Sequence, residues 1–213
     1  MSSFYTVDGE FSYSVTIERS KFVCYLKGIE NEEEAKEFIL QIKKMNSLAT
    51  HNCSAYIADQ NGLVMKFSDD GEPQGTAGLP MLDVLKNKKI YKAVAVVTRY
   101  YGGIKLGTGG LTRAYSGAVS GCLSTSKIVE MEDGIAFKIT CDYENYSSLL
   151  RLLSVQEIKV LSTDFNDNVS IKFVCKNCYL NNIKTQLFDL FKGKPLLNEG
   201  EKGYFSFGEL CQK

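Results

Sequence analysis

The residues best suited to bind a ligand lie in one glycine-rich basic loop, residues 98–113. Its glycines allow positive φ and let a ligand approach the backbone closely. A helix is predicted to begin inside this loop, and its free N–H groups could bind an anion beside the basic and aromatic side chains. We therefore predict a site for phosphate or an RNA backbone. The candidate binding residues are Arg99, Tyr100, Gly102, Gly103, Lys105, Gly107, Thr108, Gly109, Gly110 and Arg113.

A structural interpretation of the glycine-rich basic loop competes with this one. Its glycines could serve only to shape a tight turn, and its basic residues could simply be solvated. The coincidence of glycine, positive charge and a helix start favours binding.

Three carboxylates upstream of the loop form a second group of candidate binding residues. Asp69, Asp70 and Glu72 could hold Mg²⁺ or act as acid and base. Equally, Asp69 and Asp70 could cap the backbone amides that follow or pair with the basic loop. Their spacing is not that of a calcium loop, and we expect neither a resident metal nor a cofactor.

The single histidine, His51, is also a candidate binding residue and lies two residues before Cys53. Zinc would need two more ligands, and no other residue lies at a sequence spacing typical of zinc ligands. A hydrogen-bonded structural histidine is therefore favoured. A nucleophilic serine would need a nucleophile elbow, which the sequence lacks. Cys175 and Cys178 form one isolated CxxC pair, a weak signal for zinc or redox chemistry. No catalytic residue is predicted.

The first half of the chain supplies strands and helices to position these residues. Asn31 is a good N-cap, with Glu34 placed as in a capping box, and the helix that begins near Thr108 has a continuous apolar face. Gly117 and Gly121 in that helix are costly for helix formation and are expected to permit close approach to the sheet. Strands are predicted at 13–17, 22–26, 51–58, 63–67 and 93–98, and a short helix at 81–86.

The second half follows the order βαββαβ, which is typical of the ferredoxin-like arrangement. An acidic segment, 130–134, separates the two halves, so we predict domains over 1–132 and 133–213. Together the two domains predict an α+β protein. The predicted elements are strands at 135–141, 158–164, 169–175 and 204–207, with helices at 146–153 and 180–191.

Charge is balanced over the whole chain but not along it. The formal net charge is zero, which argues against coating nucleic acid through bulk charge. Residues 84–129, however, hold eight Lys or Arg and no Asp or Glu. No apolar run approaches the roughly 18 residues of a membrane span. The seven cysteines and the absence of a signal peptide indicate reduced thiols in the cytoplasm.

Three motifs resemble the signature of the YigZ/IMPACT family. They are Ala-Thr-His-Asn-Cys-Ser-Ala-Tyr at 49–56, Ser-Asp-Asp-Gly-Glu-Pro at 68–73 followed by Gly-Thr-Ala-Gly at 75–78, and Arg-Tyr-Tyr-Gly-Gly-Ile-Lys-Leu-Gly-Thr-Gly-Gly-Leu at 99–111. The last two are long and specific, and the resemblance extends over the whole chain because bacterial members carry a ferredoxin-like second domain.

The resemblance implies a connection with translation rather than a particular reaction. The family's first domain is similar to the second domain of small-subunit ribosomal protein five, and its second domain is similar to the last domain of elongation factor G. Eukaryotic members regulate translation through a kinase pathway, using an additional N-terminal domain that we do not expect in this chain, so that role is not transferred. The family supplies no catalytic residue assignment.

Three functions are compatible with these sequence features. The first is a non-enzymatic regulator that binds RNA, the ribosome or a translation factor through the glycine-rich basic loop. The second is a Mg²⁺-dependent enzyme acting on a phosphorylated small molecule, which rests on fold analogy. The third is a peptide-binding module that uses a face or edge of the second domain.

Overall fold

A computed structural model describes residues 3–193 and 195–209. The chain divides into two compact units, which cover residues 3–129 and 130–209. The α+β class predicted from the sequence is confirmed.

The first unit is an antiparallel sheet covered by helices on both faces. The strand order is β2-β3-β6-β4-β5, with every pair in it antiparallel. This places β6 at the centre, as its β-branched sequence predicts. The elements are β1 (Ser3–Val7), β2 (Glu10–Ile17), β3 (Ser20–Gly28), α1 (Glu32–Met45), β4 (His51–Ile57), β5 (Met65–Ser68), α2 (Gly78–Asn87), β6 (Ala93–Tyr100) and α3 (Gly107–Thr125).

The residues of β6 are buried alternately on the two faces of this sheet. Ala95 and Val97 pack in the core that also contains Tyr115 of α3. Val94 and Val96 pack in a second core with the apolar face of α1. Covering both faces explains why β6 is a nearly continuous apolar run rather than an alternating one.

The start of α1 follows the predicted capping pattern closely. The Asn31 side chain accepts a hydrogen bond of 3.0 Å from the N–H of Glu34. The Glu34 carboxylate in turn accepts from the N–H of Glu30 at 3.0 Å, one residue earlier than the capping-box prediction. Both bonds satisfy backbone groups that a helix start leaves free.

Two glycines within α3 differ in what surrounds them. A Cβ on Gly121 would lie 2.5 Å from Tyr13 Cε1 on β2, so the helix needs glycine here to approach the sheet. A Cβ on Gly117 would meet no heavy atom within 4 Å, and Gly117 is exposed. The prediction of close approach is therefore right for Gly121 and wrong for Gly117, which faces solvent.

These two positions form a matched pair for a stability measurement. We expect Gly117→Ala to raise the free energy of unfolding by about 0.5–1 kcal/mol, because alanine loses less backbone entropy in a helix. We expect Gly121→Ala to lower it by about 1–3 kcal/mol, because the tyrosine ring must move. Urea unfolding of both variants tests this, and changes of the same sign would contradict the assignment of the two faces.

The second unit has the predicted ferredoxin-like arrangement. Its strand order is β10-β7-β9-β8, and the pairs β7–β9 and β9–β8 are antiparallel. Ile139, Phe173 and Leu187 contribute to its core. Its elements are β7 (Ile128–Cys141, shared at its start with the first unit), α4 (Tyr143–Leu153), β8 (Ile158–Phe165), β9 (Val169–Lys176), α5 (Leu180–Leu190) and β10 (Leu196–Glu209).

Two strands, β7 and β10, are at least twice as long as the sequence indicates. The acidic segment 130–134, expected to separate the domains, is part of β7, where Glu132 forms a 2.8 Å ion pair with Lys176. β10 spans 14 residues rather than four, because pairing with β7 extends it through a polar, glycine-containing segment that lacks a strand pattern. Within residues 3–193 and 195–209, none of the helices combines the length and apolar character needed to cross a membrane.

Candidate functional site

Asp69 closes the loop that leads into α2. Its carboxylate accepts hydrogen bonds from the backbone N–H groups of Gly75 at 2.8 Å, Ala77 at 3.1 Å and Gly78 at 2.8 Å. Within the described part of the chain no other side chain caps α2, so Asp69 satisfies N–H groups that the helix start leaves free. This is the capping alternative that the sequence left open for Asp69.

Asp70 joins the same loop to α1 and β4. One carboxylate oxygen lies 2.6 Å from Lys43 Nζ, and the other accepts from the N–H of Asn52 at 2.7 Å. The backbone of Asp70 has φ of +46°, and its carbonyl oxygen lies 2.8 Å from His51 Nδ1. Asp70 therefore pairs with a lysine of α1, not with a cation of the glycine-rich basic loop.

Glu72 is the buried centre of a polar cluster, with its side chain 2 % exposed. Its Oε1 accepts a hydrogen bond from Arg99 Nη1 at 2.7 Å and a second from the Tyr115 hydroxyl at 2.7 Å. The guanidinium also lies over the Phe22 and Tyr101 rings, at 5.5 Å and 5.3 Å from their centroids. Arg99 Nε has no hydrogen-bond partner among the described residues. Charge-assisted bonds and ring contacts together offset the cost of burying this ion pair.

His51 lies at the rim of this polar cluster. Its Nε2 is 4.0 Å from Glu72 Oε2, and its side chain is 21 % exposed. Cys53, on the same face of β4, donates from its thiol to the carbonyl of Asp69 at 2.9 Å. Burial raises the pKa of Cys53 to about 12, and burial also raises the pKa of Tyr115 well above its usual range. Because the thiolate is the nucleophilic form, Cys53 is unreactive at neutral pH.

The polar cluster includes residues that the sequence did not indicate as site residues. The structure brings together four predicted candidates from separate segments: His51, Asp70, Glu72 and Arg99, with Asp69 beside them. Tyr115 lies on the apolar face of α3, where the sequence indicates only core packing, although a buried tyrosine hydroxyl normally needs a partner. Ser20, which lies 3.5 Å from Arg99 Nη2, carries no such signal in the sequence.

The glycine-rich basic loop leaves β6 beside this polar cluster. The Tyr100 hydroxyl donates to Asn46 at 2.9 Å, and the Gly102 N–H donates to Ser20 Oγ at 3.2 Å. A Cβ on Gly102 would lie 2.0 Å from the carbonyl oxygen of Arg19, so only glycine fits. Gly103 has φ of +86°. The first part of the loop is therefore fixed by backbone contacts.

The second part of the loop presents an uncapped helix start to solvent. Among the residues that the structure describes, no side chain caps α3, and its first turn holds no acidic residue. Gly107, which begins α3, has φ of +68°. Among the described residues, neither Lys105 nor Arg113 forms an ion pair, and both are exposed. Thr108 and Gly109 are exposed in the first turn, and Gly110 is half-buried.

The eight cations of the acid-free segment are divided by the fold. Lys92 pairs with Glu30 at 2.7 Å, and Lys127 pairs with Asp8 at 2.9 Å. Arg99 is buried against Glu72. Three exposed lysines, at positions 86, 88 and 89, precede β6, whereas Lys105 and Arg113 follow it. The basic segment seen in the sequence therefore becomes two smaller positive groups.

The CxxC pair is split between two environments. Cys175 is buried and Cys178 is exposed, and Cys211 lies outside the described residues. Across residues 3–193 and 195–209, no group of three or more His, Cys, Asp or Glu side chains could hold a metal ion.

Family models match both units of the chain. Residues 18–123 match the Impact N-terminal domain, and residues 139–194 match a domain of unknown function, DUF1949. The first match contains the polar cluster and the glycine-rich basic loop. The second lies within the ferredoxin-like unit.

Individual relatives are similar over nearly the full chain. IMPACT family member YvyE of Bacillus subtilis is 39 % identical over 204 residues, which cover 96 % of this chain and 94 % of the relative. IMPACT family member YigZ of Escherichia coli is 32 % identical over 83 % of this chain and 88 % of the relative. A crystal structure of an hypothetical protein matches 94 % of this chain and 98 % of its own, with a TM-score of 0.62 and 30 % identity.

Proposed function

Since the chain belongs to the IMPACT family, we propose that it is a non-enzymatic regulatory protein that binds RNA, the ribosome or a translation factor through its glycine-rich basic loop. Phosphate groups of an RNA backbone are the proposed ligands. Such a protein would act in the cytoplasm, where its cysteines remain reduced.

The start of α3 is the observation that carries this proposal. Its N–H groups are not capped by a side chain, and Lys105 and Arg113 beside them are exposed. A helix N-terminus attracts anions through its free N–H groups and its dipole. No acidic residue of α3's first turn competes with a phosphate. The backbone contacts of Gly102 hold the base of the loop in place, which reduces the entropy lost on binding.

The Mg²⁺-dependent enzyme receives less support from the carboxylates. Asp69 is engaged by three backbone N–H groups, and Asp70 by Lys43 and Asn52. Glu72 accepts from Arg99 and Tyr115. A metal ion would have to displace these donors from all three carboxylates.

Sedimentation with ribosomes and with bulk RNA tests the proposal. We expect the protein to pellet with one of them at 50 mM salt and to be released at 200 mM salt, because phosphate contacts release counterions. The variant Lys105→Glu/Arg113→Glu should lose at least about tenfold in affinity, and the slope of log affinity against log salt should fall by about 1.4 for two single-strand contacts.

A charge-matched variant controls for nonspecific electrostatics. Lys86→Glu/Lys88→Glu changes the net charge by the same amount as the loop variant does, but in the group of lysines that precedes β6. We expect it to weaken binding much less than the loop variant. Equal losses in the two variants, or pelleting that does not respond to salt, would contradict a site in the glycine-rich basic loop.

A further inference from the structure

One face of the second unit's sheet is only partly covered, because Val174 of β9 is fully buried there whereas Lys138 of β7 is exposed. Phe137 and Ile139 of β7 alternate with Lys138, and Ile171 and Phe173 of β9 lie in the same core. Because successive side chains in a strand point to opposite faces, Lys138 lies on the face away from that core. Lys138 is exposed there.

A second lysine stands directly opposite the first on this face. Lys138 of β7 is the cross-strand partner of Lys172 of β9, and both are exposed. Among the described residues, neither forms an ion pair or a hydrogen bond. Like charges directly opposite one another destabilise a sheet. This arrangement therefore lowers the stability of the sheet slightly, and a bound anion would relieve the repulsion.

Hydroxyl groups occupy the next row of the same face. Thr140 and Ser170 are cross-strand partners, and their hydroxyl oxygens lie 3.1 Å apart. Asp164 is the partner of Ser170 on β8, so it lies about 7–8 Å diagonally from Lys172 and does not pair with it. The row offers hydrogen-bond donors next to the two positive charges.

Aromatic rings lie toward the other end of the face. A Cβ on Gly134 of β7 would lie 3.1 Å from Phe207 and 3.3 Å from Phe205, which places both rings against this strand. They are half-buried, and Lys176 Nζ lies 5.3 Å from the Phe207 centroid. Gly134 precedes Lys138 by four residues, about 13 Å along the strand. The face therefore carries aromatic rings, then lysines, then hydroxyls.

We propose that this face of the second unit, the lysine face, binds single-stranded RNA. Lys138 and Lys172 would contact phosphates, with a base against Phe207 or Phe205. Proteins that bind single-stranded nucleic acid without sequence preference combine positively charged side chains with aromatic rings on which bases stack. The lysine face is distinct from the glycine-rich basic loop, and different residues carry the two inferences.

Fluorescence anisotropy with a labelled 12-nucleotide oligouridylate tests the lysine face in the full chain. Lys138→Glu/Lys172→Glu is introduced both alone and into the loop variant Lys105→Glu/Arg113→Glu, so that binding by the loop cannot hide the result. We expect an affinity loss of at least about tenfold at 50 mM salt in both backgrounds, with a salt slope lower by about 1.4. Lys138→Arg/Lys172→Arg should retain binding. Lys44→Glu/Lys192→Glu, an equal charge change elsewhere, should bind as the parent does.

A single substitution separates the binding role from a structural role. Lys172→Glu places opposite charges across the strands, so we expect its melting temperature to rise by about 1–3 °C while its affinity for the oligouridylate falls. A gain in stability with unchanged affinity would overturn the proposal. Binding abolished by the loop variant alone would also overturn it and leave the loop as the RNA site. Phosphatidylserine vesicles provide a second anionic probe. If the protein binds them as tightly as the oligouridylate, and Lys138→Glu/Lys172→Glu abolishes that binding, the lysine face would be a membrane-binding surface and the RNA proposal would be overturned.

Discussion

Replacing Glu72 with alanine is expected to lower the free energy of unfolding by about 3–5 kcal/mol. The substitution leaves the Arg99 guanidinium buried without its 2.7 Å partner and leaves the Tyr115 hydroxyl without its acceptor. An uncompensated buried charge costs far more than the loss of an exposed ion pair. Chemical denaturation of the two proteins at neutral pH measures the difference.

Two variants control this measurement. Glu30→Ala removes the partner of Lys92 from an ion pair in which the glutamate is 74 % exposed, so we expect a change below about 1 kcal/mol. Glu72→Leu/Arg99→Met removes both charges together and should recover much of the lost stability. A loss below about 1 kcal/mol for Glu72→Ala would show that the pair is not buried in solution as described.

The Glu72 substitution should also affect the glycine-rich basic loop. Arg99 lies 3.5 Å from Ser20 Oγ, and the same oxygen accepts from the N–H of Gly102. Glu72 is therefore connected to the base of the loop through two residues. We interpret the polar cluster as the support that positions the base of the loop.

Gly102→Ala is expected to cost about 3 kcal/mol or more, at the upper end of the range for overpacked sites. The added Cβ would lie 2.0 Å from the Arg19 carbonyl oxygen and 2.1 Å from its carbonyl carbon. Both are backbone atoms, so no side-chain rotation can relieve the contact, and the strand end must move. If the loop binds RNA or the ribosome as proposed, that binding should weaken as well, because this backbone contact lies at the base of the loop.

Gly103→Ala is the neighbouring control. A Cβ on Gly103 would meet no heavy atom within 4 Å, and its φ is +86°. Alanine there meets only the backbone penalty of the left-handed region, about 1–2 kcal/mol. In thermal or urea unfolding, we therefore expect the Gly102→Ala variant to have a clearly lower free energy of unfolding than the Gly103→Ala variant. The reverse order would show that the close approach to Arg19 is absent in solution.

Much of the fold could be predicted from local patterns. The apolar face of α3, the cap of α1 and the βαββαβ order of the second unit were each predicted from residues close together in the chain. Such patterns depend on the helical and strand periods, which are properties of the backbone itself. The long β10 was underestimated because its pairing with β7, rather than its own residues, makes it a strand.

The candidate site was predicted only in part, for a different physical reason. The sequence identified Glu72 and Arg99 as candidates, but as members of separate groups. Their contact depends on β6 and the loop before α2 meeting in space. Arg99 was expected on an exposed loop, whereas the end of β6 buries it beside Phe22. Nothing in the local sequence distinguishes a buried arginine from a solvated one, because burial depends on elements that are distant in the chain.

The sequence by itself determined the class of fold, the family and the positions of most of the helices and strands, because these follow from short-range periodicity and specific motifs. Tertiary structure decided which charges remain available to a ligand. It pairs Lys92 and Lys127 with acids and buries Arg99 against Glu72. It leaves Lys105 and Arg113 exposed in one unit and places Lys138 opposite Lys172 in the other. Charge pairing depends on distances between atoms, and only the folded chain sets those distances.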